Sequence, residues 1–249
     1  MATQEWLDGK ITESWLPQRT ILYTKHGSHA YGTNIETSDE DFKGICVPPQ
    51  VYRDGFRKTF EQRELKNGID AVIYDIRKFF RLGTKANPNI LELLWVDESD
   101  VLICSSAGAL LREHRHEFLS KKAFKAYSGY ATSQINKMRT HRSNNPDRQK
   151  MFDKHGYDTK FAMHLIRLLR MCGEIFEHEE LVVRRPDAKE LLAIRNGAMA
   201  EPELIHEVLK LETRNKKLLD CSSLPEEPNY EKLDRLCVTA IQMTEKIHG

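Results

Sequence analysis

Apolar and polar positions change their rhythm along the chain near residue 105. Before it, short runs rich in β-branched and aromatic residues recur at 19–25 (Arg-Thr-Ile-Leu-Tyr-Thr-Lys), 40–47 (Glu-Asp-Phe-Lys-Gly-Ile-Cys-Val), 69–74 (Ile-Asp-Ala-Val-Ile-Tyr) and 101–104 (Val-Leu-Ile-Cys). Polar, Gly or Pro residues bound each run, as expected for strands. Pro48-Pro49 stops the second run, and His26-Gly27-Ser28 makes a turn after the first. Asp75 reads as the N-cap of a helix to about residue 85, and Asn87-Pro88 opens a short helix over 89–94. Another short helix is expected over 4–15, ended by Leu16-Pro17. Beyond 105 the spacing predicts helices over 106–117, 121–141, 159–178, 202–219 and 229–247, with 181–186 extended and 143–158 a polar, movable loop. Strands followed by helices give an α+β class: a small mixed sheet with helices over 1–115, then a mostly helical domain over 116–249.

With 249 residues the chain can bury a sizeable core. Its 40% hydrophobic and 30% charged residues fit a soluble globular protein. No apolar run is long enough to span a membrane, and the first residues lack the marks of a signal peptide. The five cysteines (46, 104, 172, 221 and 237) form neither a disulfide framework nor a CxxC pair, so reduced thiols and a cytoplasmic location are expected. A zinc hydrolase has no support, because HExxH is absent.

The net charge of +1 hides a segregation. Residues 1–111 carry 13 Lys+Arg against 16 Asp+Glu, residues 112–173 carry 14 against 5, and residues 174–249 carry 11 against 16. A basic middle suggests a polyanion-binding region. Within it Lys137, Arg139, His141 and Arg142, with Tyr127 and Tyr130, suit a phosphate-tracking surface with stacking rings. On the helix 159–178, Lys160, His164 and Arg167 fall on one stripe, opposite Phe161, Leu165, Leu168, Leu169 and Cys172.

The chemistry concentrates earlier. Asp39 and Asp41 are two residues apart at a strand start, which puts both carboxylates on one face. Side chains so placed can converge on one or two Mg²⁺ (or Mn²⁺) ions, which prefer carboxylate and phosphate oxygens. Two such ions stabilise both the attacking and the leaving oxygen of an in-line displacement at phosphorus. Asp70, on a neighbouring strand amid Ile69, Val72 and Ile73, is the expected third carboxylate, and a metal would offset the cost of burying it. Gly27-Ser28 is a small turn that lets backbone N–H groups approach a triphosphate, with the Ser28 hydroxyl as a further donor.

Gly27-Ser28 followed by Asp39-x-Asp41 resembles the Gly-Ser…Asp-x-Asp pattern of the DNA polymerase β-like nucleotidyltransferase superfamily. Gly27-Ser28-His29-Ala30-Tyr31-Gly32, Tyr74-Asp75-Ile76-Arg77-Lys78-Phe79 and Asn87 to Leu94 look more narrowly like the "predicted nucleotidyltransferase" branch. Some members of that branch are proposed to act with RNA ligases in RNA repair. The match is good over 20–95 and looser through Gly156-Tyr157-Asp158-x-Lys160 and His164-x-x-Arg167.

The resemblance implies a catalytic domain over 1–115, a substrate- and nucleotide-binding domain over 116–249, and transfer of NMP from an NTP to an acceptor hydroxyl with release of pyrophosphate. An RNA end is the expected acceptor, with RNA-repair proteins as possible partners. A protein or small-molecule acceptor and a non-catalytic nucleotide- or RNA-binding module are the alternatives. Asp39, Asp41 and Asp70 would be the catalytic and metal-binding residues. Gly27, Ser28, Lys160, His164 and Arg167 would bind the nucleotide. Asp75 competes with Asp70 for the third position but has a capping role, and Glu92, on a helix, is read as an acid on the helix surface, with a supporting partner of the site's ligands as the alternative.

Overall fold

The computed structural model describes residues 13–65, 70–129, 135, 138–140 and 146–248. It is a mixed α+β protein, and the chain divides into two compact units. The first takes residues 1–84, 89–118 and 228–249; the second takes 85–88 and 119–227. The last helix groups with the first unit. No helix among the described residues is long and apolar enough to cross a membrane.

The first unit is built on strands β1 (Thr20–His26), β2 (Asp41–Cys46), β3 (Gln62–Leu65), β4 (Asp70–Asp75) and β5 (Val101–Cys104), in the order β3-β4-β2-β1-β5. β2 and β4 run parallel, and every other pair is antiparallel. Alternation along the strands sets the two faces. Tyr23, Phe42, Cys46, Ala71 and Ile73 share a core with Leu16 and Phe60. Tyr23 stacks on Phe42 with ring centres 5.6 Å apart. Asp41, Lys43 and Ile45, paired with Asp70, Val72 and Tyr74, take the opposite face.

Around the sheet lie α1 (Gly27–Tyr31), α2 (Gln50–Arg53), α3 (Ile76–Gly83), α4 (Pro88–Trp95, of which 89–95 belong to this unit) and α5 (Ser106–Glu113). Asp75 caps α3 as expected, accepting from the Arg77 N–H at 2.7 Å. Ser105 caps α5 by accepting from the Gly108 N–H. The expected helix over 4–15 lies mostly outside the described residues, and its last residues, 13–15, are not helical.

The second unit contains α6 (Lys122–Tyr127), α7 (Pro146–His155), α8 (Thr159–His178), α9 (Ala188–Arg195) and α10 (Glu201–Cys221); α11 (Tyr230–His248) belongs to the first. Asp158 starts α8 by accepting from the N–H groups of Lys160 and Phe161. Tyr157, Met163, Leu165, Ile166 and Leu169 pack with Leu191, Ile194, Leu204, Val208 and Leu211. One expectation fails here. Residues 146–155 are helical rather than loop, with Pro146 at the first position, where its missing N–H costs nothing. Residues 181–186 pair with no strand and lead into α9.

Much of the basic charge of 112–173 meets acids of the following segment. Lys121 pairs with Glu226, Lys122 with Glu227, Arg139 with Glu201, and Arg170 with both Asp187 and Glu190. Segregation along the sequence therefore becomes, in part, pairing within the second unit.

Candidate active site

β1 ends at His26, and Asp41, the first residue of β2, is its register partner. On the other side of β2, Asp41 is the register partner of Asp70, the first residue of β4. Partners in adjacent strands project to the same face about 5 Å apart. Asp41 and Asp70 therefore stand side by side at one end of the sheet. Asp75 is five residues on from Asp70 and so lies on the opposite face, beside Cys46. It is buried and bonded to Arg77, whose Nη2 donates to Oδ2 at 2.8 Å. Asp70 and Asp75 thus stand on opposite faces of the sheet.

Gly27 follows His26 with φ +63°, in the left-handed region that favours glycine. A Cβ at Gly27 would collide with Oδ2 of Asp41, so the carboxylate lies directly on the turn. Ser28 is half-buried in α1, which starts at Gly27 itself. Gly32 ends α1 at φ 71°, and the Thr33 N–H donates to the Ser28 carbonyl at 2.9 Å. The His29 ring nitrogen lies 3.4 Å from the Ser38 carbonyl, and Ser38 Oγ accepts from the Ile35 N–H. The loop that carries Asp39 is thereby tied back to α1.

Asp39 is exposed and precedes the strand, which begins at Asp41 and not at residue 40. Asp70 is also exposed, so the expected cost of burying it among apolar neighbours does not arise. Among the described residues no group of three His, Cys, Asp or Glu stands close enough to hold a metal ion. The donor types of Asp39, Asp41 and Asp70 suit a hard divalent cation. Two of the three are joined by strand register, and the third sits on a loop.

Lys160, His164 and Arg167 lie on α8, in the second unit. They do not form one polar stripe. Lys160 is exposed, His164 is half-buried, and Arg167 is only 5% exposed, donating to the Met171 sulfur at 3.1 Å. α8 is the central helix of its unit, with buried positions around most of its circumference. Neighbouring helices thus override the amphipathic spacing. Tyr127 is fully buried, so its ring is unavailable for stacking on a base. Arg139 is exposed and paired with Glu201. Tyr130, Lys137, His141 and Arg142 lie outside the described residues.

Glu92 is the clearest correction. It is not on a helix surface but completely buried in α4, where it accepts from the Tyr31 hydroxyl at 2.6 Å. Its Oε2 is also 3.4 Å from Nε2 of His26. The one available sequence signal was an acid inside the otherwise apolar run Ile90-Leu91-Glu92-Leu93-Leu94.

The chain matches the model of the RlaP family, described as "RNA repair pathway DNA polymerase beta family", over residues 6–238. It belongs to that family, which is a nucleotidyltransferase family of the DNA polymerase β type. Over 130 residues it is 27% identical to a 38.9 kDa protein of Enterobacteria phage T4 encoded between nrdC and mobD. That alignment covers 48% of this chain and 38% of the phage protein. A nucleotidyltransferase-like protein from Exiguobacterium sibiricum aligns over 82% of this chain and 69% of its own, at 12% identity and a TM-score of 0.28.

Proposed function

We propose that the protein transfers NMP from an NTP to the hydroxyl of an RNA end, releasing pyrophosphate, with Asp39, Asp41 and Asp70 binding divalent metal. The observation that carries this reading is the strand register that sets Asp41 beside Asp70, with Gly27 pressed against the Asp41 carboxylate. Bound Mg²⁺ or Mn²⁺ would supply Lewis-acid stabilisation of charge on the phosphoryl oxygens. Asp39 and Asp41 would hold it. Asp70, exposed at the start of its strand, would orient the attacking hydroxyl and take its proton. Gly27 and Ser28 would bind the leaving phosphates, through a backbone with no side chain in the way and one hydroxyl.

The RNA acceptor draws its support from the family description, which names RNA repair. The test is incubation of the protein with Mg²⁺, each α-labelled NTP and a panel of RNA, protein and small-molecule acceptors. Label on RNA ends, lost in Asp41→Ala while the circular dichroism spectrum is kept, is the expected result. Label on protein or small molecules would redirect the acceptor. No label with any acceptor, or full activity in Asp41→Ala, would refute the assignment.

A further inference from the structure

α1 has only five residues, and a helix that short is not stable by its own hydrogen bonds. Something outside it must hold the Gly27-Ser28 turn in shape. Glu92 is placed to do so. It is 0% exposed on α4, surrounded in sequence by the buried Ile90, Leu91, Leu93 and Leu94. Burying a carboxylate costs several kcal/mol unless donors surround it. Tyr31, the last residue of α1, donates its hydroxyl to Glu92 at 2.6 Å, and Nε2 of His26, the residue just before α1, stands at ion-pair distance, 3.4 Å away. The rings of His26 and Tyr31 meet edge to face, with centres 6.0 Å apart. One buried oxygen, Oε2 of Glu92, thus accepts a hydrogen bond from one end of the segment that contains Gly27 and Ser28 and lies at ion-pair distance from the other. His26 is also the register partner of Asp41.

We propose that Glu92 is a positioning residue: through His26 and Tyr31 it brackets the Gly27-Ser28 turn and holds it in the shape that receives the triphosphate. The bracket is a feature of the fold; its role toward the triphosphate rests on the reading of the turn given above. A buried acid kept only for stability would affect the whole unit. A bracket acts first on residues 27–33 and on phosphate binding.

The test uses the full-length protein and the variants Glu92→Gln, Glu92→Ala and Tyr31→Phe. Glu92→Gln keeps an oxygen acceptor for Tyr31, and Tyr31→Phe removes only a hydroxyl, so both retain the shape of the site. Amide hydrogen exchange is read over residues 27–33 and over β1 and β2, alongside the affinities for ATP with Mg²⁺ and for adenosine. The expected result is exchange at 27–33 faster by about tenfold in Tyr31→Phe and Glu92→Ala, a smaller change in Glu92→Gln, and unchanged exchange in the strands. ATP affinity falls by a similar factor and adenosine affinity does not. Exchange at 27–33 that stays at the wild-type rate overturns the proposal. So does loosened exchange with ATP affinity kept, or a loss shared equally by ATP and adenosine. If the wild-type protein binds no ATP, the nucleotidyltransferase reading of the turn fails, and the exchange data alone decide whether Glu92 brackets it.

Discussion

The Asp41 carboxylate fills the space in which a side chain at Gly27 would stand. Turn and strand carboxylate are therefore one packed object. A glycine is required there twice over, for its positive φ and for the close approach.

Replacing Gly27 by Ala should consequently do more to activity than to folding. The left-handed conformation costs about 1–2 kcal/mol for an L-residue, and the new methyl displaces the Asp41 carboxylate. A melting temperature lowered by a few degrees, with NMP transfer reduced about 100-fold or more, is the expected pair of results. Thermal melts and labelled-NTP incorporation check it.

The sequence made the strands of the site legible because their signals are local. The β-branched run of β1, the Gly-Ser turn, Asp41 at a strand start and the Asp75 cap each lie within a few residues. α8 could be placed by its spacing, but the surroundings of Arg167 could not, because burial is decided by helices distant in sequence. β3 went unseen for a different reason. Gln62-Arg63-Glu64-Leu65 is a polar edge strand without alternation, and its partner β4 defines it. Tyr31 and Glu92 both lay in stretches that carried the family resemblance, yet their bond spans 61 residues and leaves no periodic trace.

The acid sensitivity of the first unit should pass through Glu245. Hydrogen bonding from Arg19 holds its carboxyl below the usual range, and Arg53 bonds it as well. A folded-state value below the unfolded one gives stability that is present above the unfolded value and lost as pH falls through the folded one. Glu245→Gln should lower the unfolding free energy by about 1 kcal/mol at pH 7, and the difference from wild type should vanish once pH falls below the folded-state value. Denaturant unfolding across pH 3 to 7 measures it.

In the second unit the Arg185 side chain is 2% exposed and bonds Glu174 at 2.7 Å and Asp187 at 2.8 Å. Arg185→Ala leaves two carboxylates without that partner and should cost about 3 kcal/mol. A urea titration with a probe in the second unit would reveal the loss.

Thiol reactivity should split the five cysteines. Cys46, Cys172 and Cys237 are buried, and burial pushes the thiols of Cys172 and Cys237 up to about 12. Cys104 and Cys221 are exposed. At pH 8, dithionitrobenzoate should react rapidly with two thiols in the native protein and with five after denaturation.

The central claim is that Asp70, set beside Asp41 by parallel register, belongs to the chemistry, and that Asp75 on the opposite face does not. The direct measurement is the rate of α-labelled NMP transfer to RNA with Mg²⁺ by Asp70→Asn and Asp75→Asn, each confirmed as folded. Transfer reduced about 10²–10⁴-fold in Asp70→Asn, with Asp75→Asn keeping most of its rate at lower thermal stability, is the result expected. A wild-type rate in Asp70→Asn would contradict the account.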